Sequence, residues 1–197
     1  MKTPALLDLR PTQFVLGMNE VNSKNLKIAK MNKKELSTYC NQHKVPVVIG
    51  PHKDLYMIDH HHFVRACWEQ KVVGYEVLMI KDLSHKTEKE FWNSMIKNGW
   101  VYLKDQFGLG PHSPLSLPTD IRGLADDPFR SLVWELIDRG VIKKDKTPFF
   151  EFQWAQLMRL NLNLPLHSKS NFKKAINTAT AIAKGKSAAH LPGYRAK

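Results

Sequence analysis

Hydrophobic and polar positions along this chain change their period near its middle. In residues 1–85 the apolar residues come in short runs, at 6–9, 45–49, 55–58 and 75–80, separated by turn residues. Runs 45–49 and 55–58 flank the turn residues 50–54 and predict a β-hairpin. Run 6–9, closed by Arg10-Pro11, and run 75–80 predict two further strands. Between them the spacing turns helical twice. Asn32 and Glu35 have capping-box spacing, and Leu36, Tyr39 and Cys40 form the apolar face of the helix they open. Phe63, Ala66 and Cys67 recur at i, i+3 and i+4 directly after the hairpin. Residues 12–21 read as a loop, and 22–31 show no clean period.

From residue 86 the pattern is helical. Thr87 and Glu90 repeat the capping box ahead of Phe91, Trp92, Met95 and Ile96, and Asn98-Gly99 ends that helix. Residues 104–125 are rich in Gly, Pro and Ser, carry His112 and predict a long loop. Asp127-Pro128 opens a helix that buries Phe129, Leu132, Val133, Leu136 and Ile137 and stops at Gly140. Thr147-Pro148 opens another, through Leu160, whose Phe152 and Trp154 are expected to pack the helical part on the strand-bearing part. A last helix over 171–184 is ended by Gly185, and a tail at 191–197 follows. The fold class is therefore α/β: a small mixed sheet with helices in residues 1–85, then a helical extension in 86–197. The sequence has no internal repeat.

Composition narrows the partners. At 197 residues, 43% hydrophobic and 24% charged, the chain is that of a soluble globular protein, with no apolar run long enough for a membrane span. Pro4, Asp8 and Arg10 interrupt any secretory leader. Cys40 and Cys67 fall on apolar helix faces, so buried thiols and a cytoplasmic setting are expected. The net charge is +12, and no acid occurs from Phe152 onward. Lys169, Lys173, Lys174, Lys184 and Lys186 concentrate there, which points to a polyanion such as nucleic acid; the plain alternative is a solvated basic face.

The densest chemistry is the DHHHFVR stretch, Asp59 to Arg65, at the strand-to-helix turn. Asp59 has the composition of an N-cap, which would set His60, His61 and His62 on the first turn, at the positive end of the helix dipole. Arg65 follows His61 by four residues and His62 by three, on their side of the helix. Unpaired amides, imidazoles and a guanidinium at one helix N-terminus suit a phosphate. A metal is the second possibility, Mn²⁺ or Zn²⁺ by ligand type, but neighbouring residues of a helix diverge by about 100°. Three adjacent histidines therefore do not face one ion, and no metal ligands are assigned.

The order of these segments resembles a known family. A strand with LRP, a helix, VPVVI, a turn, LYMID, HHHFVRA and a strand is similar to the N-terminal domain of ParB-like proteins, a fold shared with sulfiredoxin and a free-serine kinase. DPFRSLVWELIDRG, TPFFEFQWAQLMR and LPGY resemble the bacterial ParB-like nuclease family over nearly the whole chain. The resemblance implies a nucleotide or nucleic-acid phosphate held at the turn after the hairpin. By position, Asp59 matches the family aspartate and His61 and His62 its two polar positions. His60 stands where glycine is usual and Phe63 where an arginine is usual. Glu20 lies where the kinase-like branch carries a catalytic acid.

The leading expectation is phosphoester hydrolysis or phosphoryl transfer, a nuclease or nucleotide hydrolase. His60, His61, His62 and Arg65 would bind phosphate; Glu20, Asp59, His61 and His62 are the candidate catalytic groups, with Mg²⁺ or Mn²⁺ the cofactor to test. The alternative is a non-catalytic DNA-binding module of a partition or regulatory protein that uses the basic C-terminal lysines. A third reading is a partner-binding scaffold built on the 104–125 loop.

Overall fold

The computed structural model describes residues 4–163, 165–166 and 168–195, so Ala196 and Lys197 of the expected tail lie outside the described residues. Two compact units emerge. One comprises the residues up to Leu16 together with Glu20–Ala125; the other comprises Gly17–Asn19 together with the residues from Asp126 onward.

The first unit is built on a four-stranded mixed sheet. Its strands are β1 (Leu9–Pro11), β3 (Val45–Ile49), β4 (Leu55–Met57) and β5 (Val77–Asp82), in the order β1-β4-β3-β5. The expected hairpin is there: β3 and β4 are antiparallel, with Val47 opposite Met57. β1 joins β4 in parallel and β5 joins β3 in parallel, so β5 forms an edge. Residues 6–8, expected as strand, form a 3-10 turn, and pairing begins only at Leu9. A short strand β2 (Val15–Leu16) follows β1, and β6 (Ala125–Asp126) closes the long loop, where the Ala125 N–H donates to the Phe14 carbonyl at 2.9 Å.

Helices cover the sheet for reasons visible in their sequences. Helix α1 (Met18–Ala29) takes in the end of the expected 12–21 loop and most of the stretch that showed no period; Val21 and Ile28 are its only buried residues, too few to mark an apolar face. Helix α2 (Lys33–Gln42) has the expected capping box: Asn32 accepts from Lys34 and Glu35 N–H, and Glu35 accepts from Asn32 N–H. Helix α3 (His61–Glu69) follows β4 and buries Phe63, Val64, Ala66 and Cys67. Helix α4 (Glu88–Lys97), capped by Thr87, packs Phe91, Trp92 and Met95 with Val48 of β3 and Leu83. That packing carries the sheet unit well past the boundary expected at residue 85, through Ala125. Cys40 and Cys67 are both buried free thiols.

The second unit is helical: α5 (Pro128–Asp138), α6 (Phe150–Asn161) and α7 (Lys169–Ala183). Asp127 caps α5 at Phe129 N–H, as the Asp-Pro signal predicts. Helix α6 starts later than Thr147-Pro148 suggests, after Phe149, which takes a left-handed backbone with φ 58°. Trp154 is fully buried in this unit's own core with Leu132, Leu136, Met158, Ala175 and Ala179, and donates Nε1–H to the Pro192 carbonyl at 2.7 Å. It therefore packs the helical unit internally, which corrects the expectation that it packs against the strand-bearing part. Phe152 is also buried, with the Arg130 guanidinium 4.4 Å from its ring centre. The tail docks through a tight turn: Gly193 has φ 80°, and its carbonyl accepts from Lys143 N–H at 2.8 Å. Among the described residues, no helix is long and apolar enough to cross a membrane.

Candidate functional site

The turn between β4 and α3 differs from its expected form in one respect that reorders the site. His60, and not Asp59, is the N-cap of α3. Its φ of 65° lies in the left-handed region that favours glycine, and histidine is among the side chains that tolerate it best. The histidine thus takes the backbone shape of the glycine that the family pattern carries here. Asp59 is exposed, and its Oδ1 accepts from the His60 N–H at 2.6 Å. The correction is therefore that Asp59 holds the turn and does not cap the first-turn amides. His60 places no side chain on them either.

The three histidines point to three environments, as the angular spread of a helix demands. His61 faces inward. It is 4% exposed, and its Nε2 accepts from the Thr12 N–H of the segment after β1 at 3.2 Å. An accepting Nε2 puts the remaining proton on Nδ1. Burial, reinforced by the neighbouring His62 and His60, pushes its pKa down from 6.5 to about 3. His61 is accordingly neutral and supplies no positive charge to an anion, contrary to its expected role. His62 faces helix α1, with Nδ1 3.5 Å from Glu20 Oε2. The ring of His60 lies edge-on to those of His43 and Phe63, at 5.9 and 6.3 Å between centres.

Glu20, singled out by the resemblance to the kinase-like branch, stands beside the histidine turn. Its carboxylate also receives Lys24 Nζ at 3.2 Å, an i, i+4 pair on α1. Both members of the Glu20–His62 pair are largely buried, with side chains 16% and 13% exposed. Lys24 is a member of this cluster that the sequence reading missed; its four-residue spacing from Glu20 was the available signal.

Arg65 is committed elsewhere. Its Nε donates to Glu69 Oε1 at 2.6 Å, its Nη1 donates to the Ile121 carbonyl at 3.2 Å, and its guanidinium lies 5.3 Å from the Trp68 ring centre. Glu69 in turn accepts from Asn25 Nδ2 of α1 through Oε2, at 2.5 Å. Arg65 thus ties α3 to the 121–123 turn and to α1. That is a correction to its expected place among the phosphate-facing groups. Phe63, standing where an arginine is usual, is 1% exposed and stacks on His43 at 5.5 Å with an interplanar angle of 26°. The position has become part of the aromatic packing between α2 and α3.

Lys169, Lys173, Lys174, Lys184 and Lys186 lie in the second unit, on α7 and the turn after it, and all five are at the surface. The opposite side of α7 buries Ala175, Ile176, Ala179 and Ala183. Lys173 and Lys184 are about three turns apart and project on nearly the same side. No group of three or more His, Cys, Asp or Glu side chains among the described residues is arranged to hold a metal ion.

Comparison with known proteins agrees with this architecture. A protein-family profile described as "Putative ParB-like nuclease" matches residues 3–160. A search of curated proteins found no match. Among solved structures, the crystal structure of protein Atu1540 from Agrobacterium tumefaciens is similar at 36% identity and a TM-score of 0.86. The match covers 96% of this chain and 95% of that one.

Proposed function

The chain belongs to the ParB-like nuclease family, and from that premise we propose that its sheet-bearing unit binds a phosphate of a nucleotide or nucleic acid at the N-terminus of α3 and acts on the phosphoester. The observation that carries this reading is the convergence of Glu20, Lys24 and His62 beside the N-terminus of α3. The amides of a helix's first turn and the helix dipole favour phosphate oxygens. Glu20 is the general base: its carboxylate takes a proton from the attacking water or hydroxyl. Lys24 and His62 hold that carboxylate, and Lys24 places positive charge where negative charge develops on the phosphoryl group. His61 acts on the backbone alone, by fixing the residue 12 amide to α3.

Glu20 and Asp59 supply carboxylates in this region, but among the described residues they form no preorganised cage for a cation. Mg²⁺ or Mn²⁺ would therefore arrive bound to the substrate phosphates, and no step is assigned to a resident metal. The test is turnover of a labelled mononucleotide and of plasmid DNA with Mg²⁺, with Mn²⁺ and with chelator. Glu20→Gln is expected to lower turnover by about 10²–10⁴-fold while substrate binding persists. Turnover in the parent that survives Glu20→Gln unchanged would refute the assignment.

A second reading has its own observation: the surface lysines of α7. In it the chain is a non-catalytic nucleic-acid-binding module, and the second unit makes the phosphate contacts. Binding by the parent without any turnover would favour it.

A further inference from the structure

Resting on the assignment of Glu20 as general base, we propose that Glu69 is a positioning residue for it. Held by Arg65 and bonded to Asn25, Glu69 fixes how α1 lies on α3 and so keeps the Glu20 carboxylate beside the N-terminus of α3. These residues all lie in the sheet-bearing unit. Apolar packing leaves α1 underdetermined. Its buried residues, Val21 and Ile28, are seven positions apart and fall on nearly one line of the helix. A helix seated on a single buried line is free to roll about its own axis. Polar contacts on the two flanks of that line stop the roll. On one flank Glu20 Oε2 meets His62 Nδ1 at 3.5 Å; on the other Asn25 Nδ2 donates to Glu69 Oε2 at 2.5 Å. Five positions separate Glu20 from Asn25, about 140° around the helix and about 7.5 Å along it.

On α3 both contacts come from one face. His62 and Glu69 are seven positions apart, two turns to within about 20°. Glu69 is held in place by its other oxygen: Oε1 accepts from Arg65 Nε at 2.6 Å, and Arg65 Nη1 donates to the Ile121 carbonyl at 3.2 Å. Asn25 carries the observation that favours positioning over plain packing. Its Oδ1 is buried and accepts from no group among the described residues, while its Nδ2 is bonded to Glu69. A buried carbonyl without a donor costs stability, and an apolar side chain of similar size avoids that cost. The carboxylate also sets the direction of the amide, because an ionised carboxylate only accepts and repels an oxygen turned toward it. The Asn25 amide thus serves one directed bond to Glu69. Glu69 acts on the reaction through Glu20 alone.

The test is steady-state turnover of a labelled mononucleotide by the full chain and by N25L, E69A and E69Q, with E20Q alongside. Circular dichroism and thermal melting check that each variant folds. N25L and E69A break the contact and are expected to lower kcat by about 10²-fold, the effect of misplacing a reacting group by about 1 Å, with KM for the nucleotide unchanged. E69Q is expected to keep near-parental kcat, because the Asn25 amide can turn over and accept from the new amide N–H. ¹H–¹⁵N correlation spectra with the mononucleotide read the same coupling without turnover. In N25L the amides of residues 60–63 are expected to shift as in the parent, while those of Glu20 and Lys24 no longer follow. Variants that melt lower yet keep the parental kcat and the parental Glu20 response make the Asn25–Glu69 bond structural only. That result overturns the proposal and leaves the general-base reading standing, and so does an E69Q chain as slow as E69A. A parent without turnover, or one whose turnover E20Q leaves unchanged, overturns that reading and the proposal with it.

Discussion

Acidification should destabilise this protein through His61, and the amount can be worked from its surroundings. The ring is buried, accepts from the Thr12 N–H, and has a pKa lowered from 6.5 to about 3. The native pKa is depressed, so the stability tied to the neutral ring is fully present above pH 6.5. It is lost as pH falls, because the unfolded chain takes up a proton that the folded chain refuses. The loss amounts to about 1.4 kcal/mol per pH unit below the unfolded pKa, or about 2 kcal/mol by about pH 5. The informative variant is His61→Gln, whose side-chain oxygen can still accept from Thr12 but does not titrate. Urea denaturation of parent and variant at about pH 7.5 and about pH 5 gives four stabilities, and groups common to both chains cancel in the difference. The parent should lose about 2 kcal/mol more than His61→Gln over that interval. Equal losses would refute both the burial argument and the neutral state of the ring.

Three further outcomes follow from the side-chain environments of the second unit. Trp154→Ala removes a fully buried ring and its hydrogen bond to the Pro192 carbonyl, and should cost about 3–5 kcal/mol by chemical denaturation. Asp127→Ala removes the cap of α5 and the carboxylate that accepts from Arg159 Nη2 at 2.6 Å, at a side chain only 2% exposed. Breaking such a pair should cost about 3–5 kcal/mol, so the melting temperature should fall sharply. If nucleic acid binds through α7, replacing Lys169, Lys173, Lys174, Lys184 and Lys186 by Gln should weaken binding. The slope of log affinity against log salt should flatten by about 0.9 for each phosphate no longer neutralised, or about 0.7 on single strands. An unchanged slope in a filter-binding titration would place the binding surface elsewhere.

The parts of the fold that were legible in the sequence are those whose signal is local. The capping residues Asn32, Thr87 and Asp127 announced three helices, because a cap is satisfied within one turn. The hairpin was legible because two β-branched or apolar runs flank a turn. Helix α1 was not, because Val21 and Ile28 alone are buried along it and no period of apolar residues marks it. The site was half legible. The stretch and Glu20 were found, but the roles of the histidines turned on a backbone angle at His60 that composition does not report. Helical spacing sets His61 on the side of fully buried Val64, three residues on, and the ring is buried with it. Arg65 could not be read correctly either. Its partner, the Ile121 carbonyl, comes from far along the chain and leaves no trace in local spacing.

The claim that matters most is that phosphate sits at the N-terminus of α3. It is tested most directly by a ¹H–¹⁵N correlation titration of the full chain with a mononucleotide. The amides of His60, His61, His62 and Phe63 should move first and most, with Glu20 and Lys24 following, and the shifts should saturate together. Saturable shifts confined to α7, with the amides of residues 60–63 unmoved, would contradict the account.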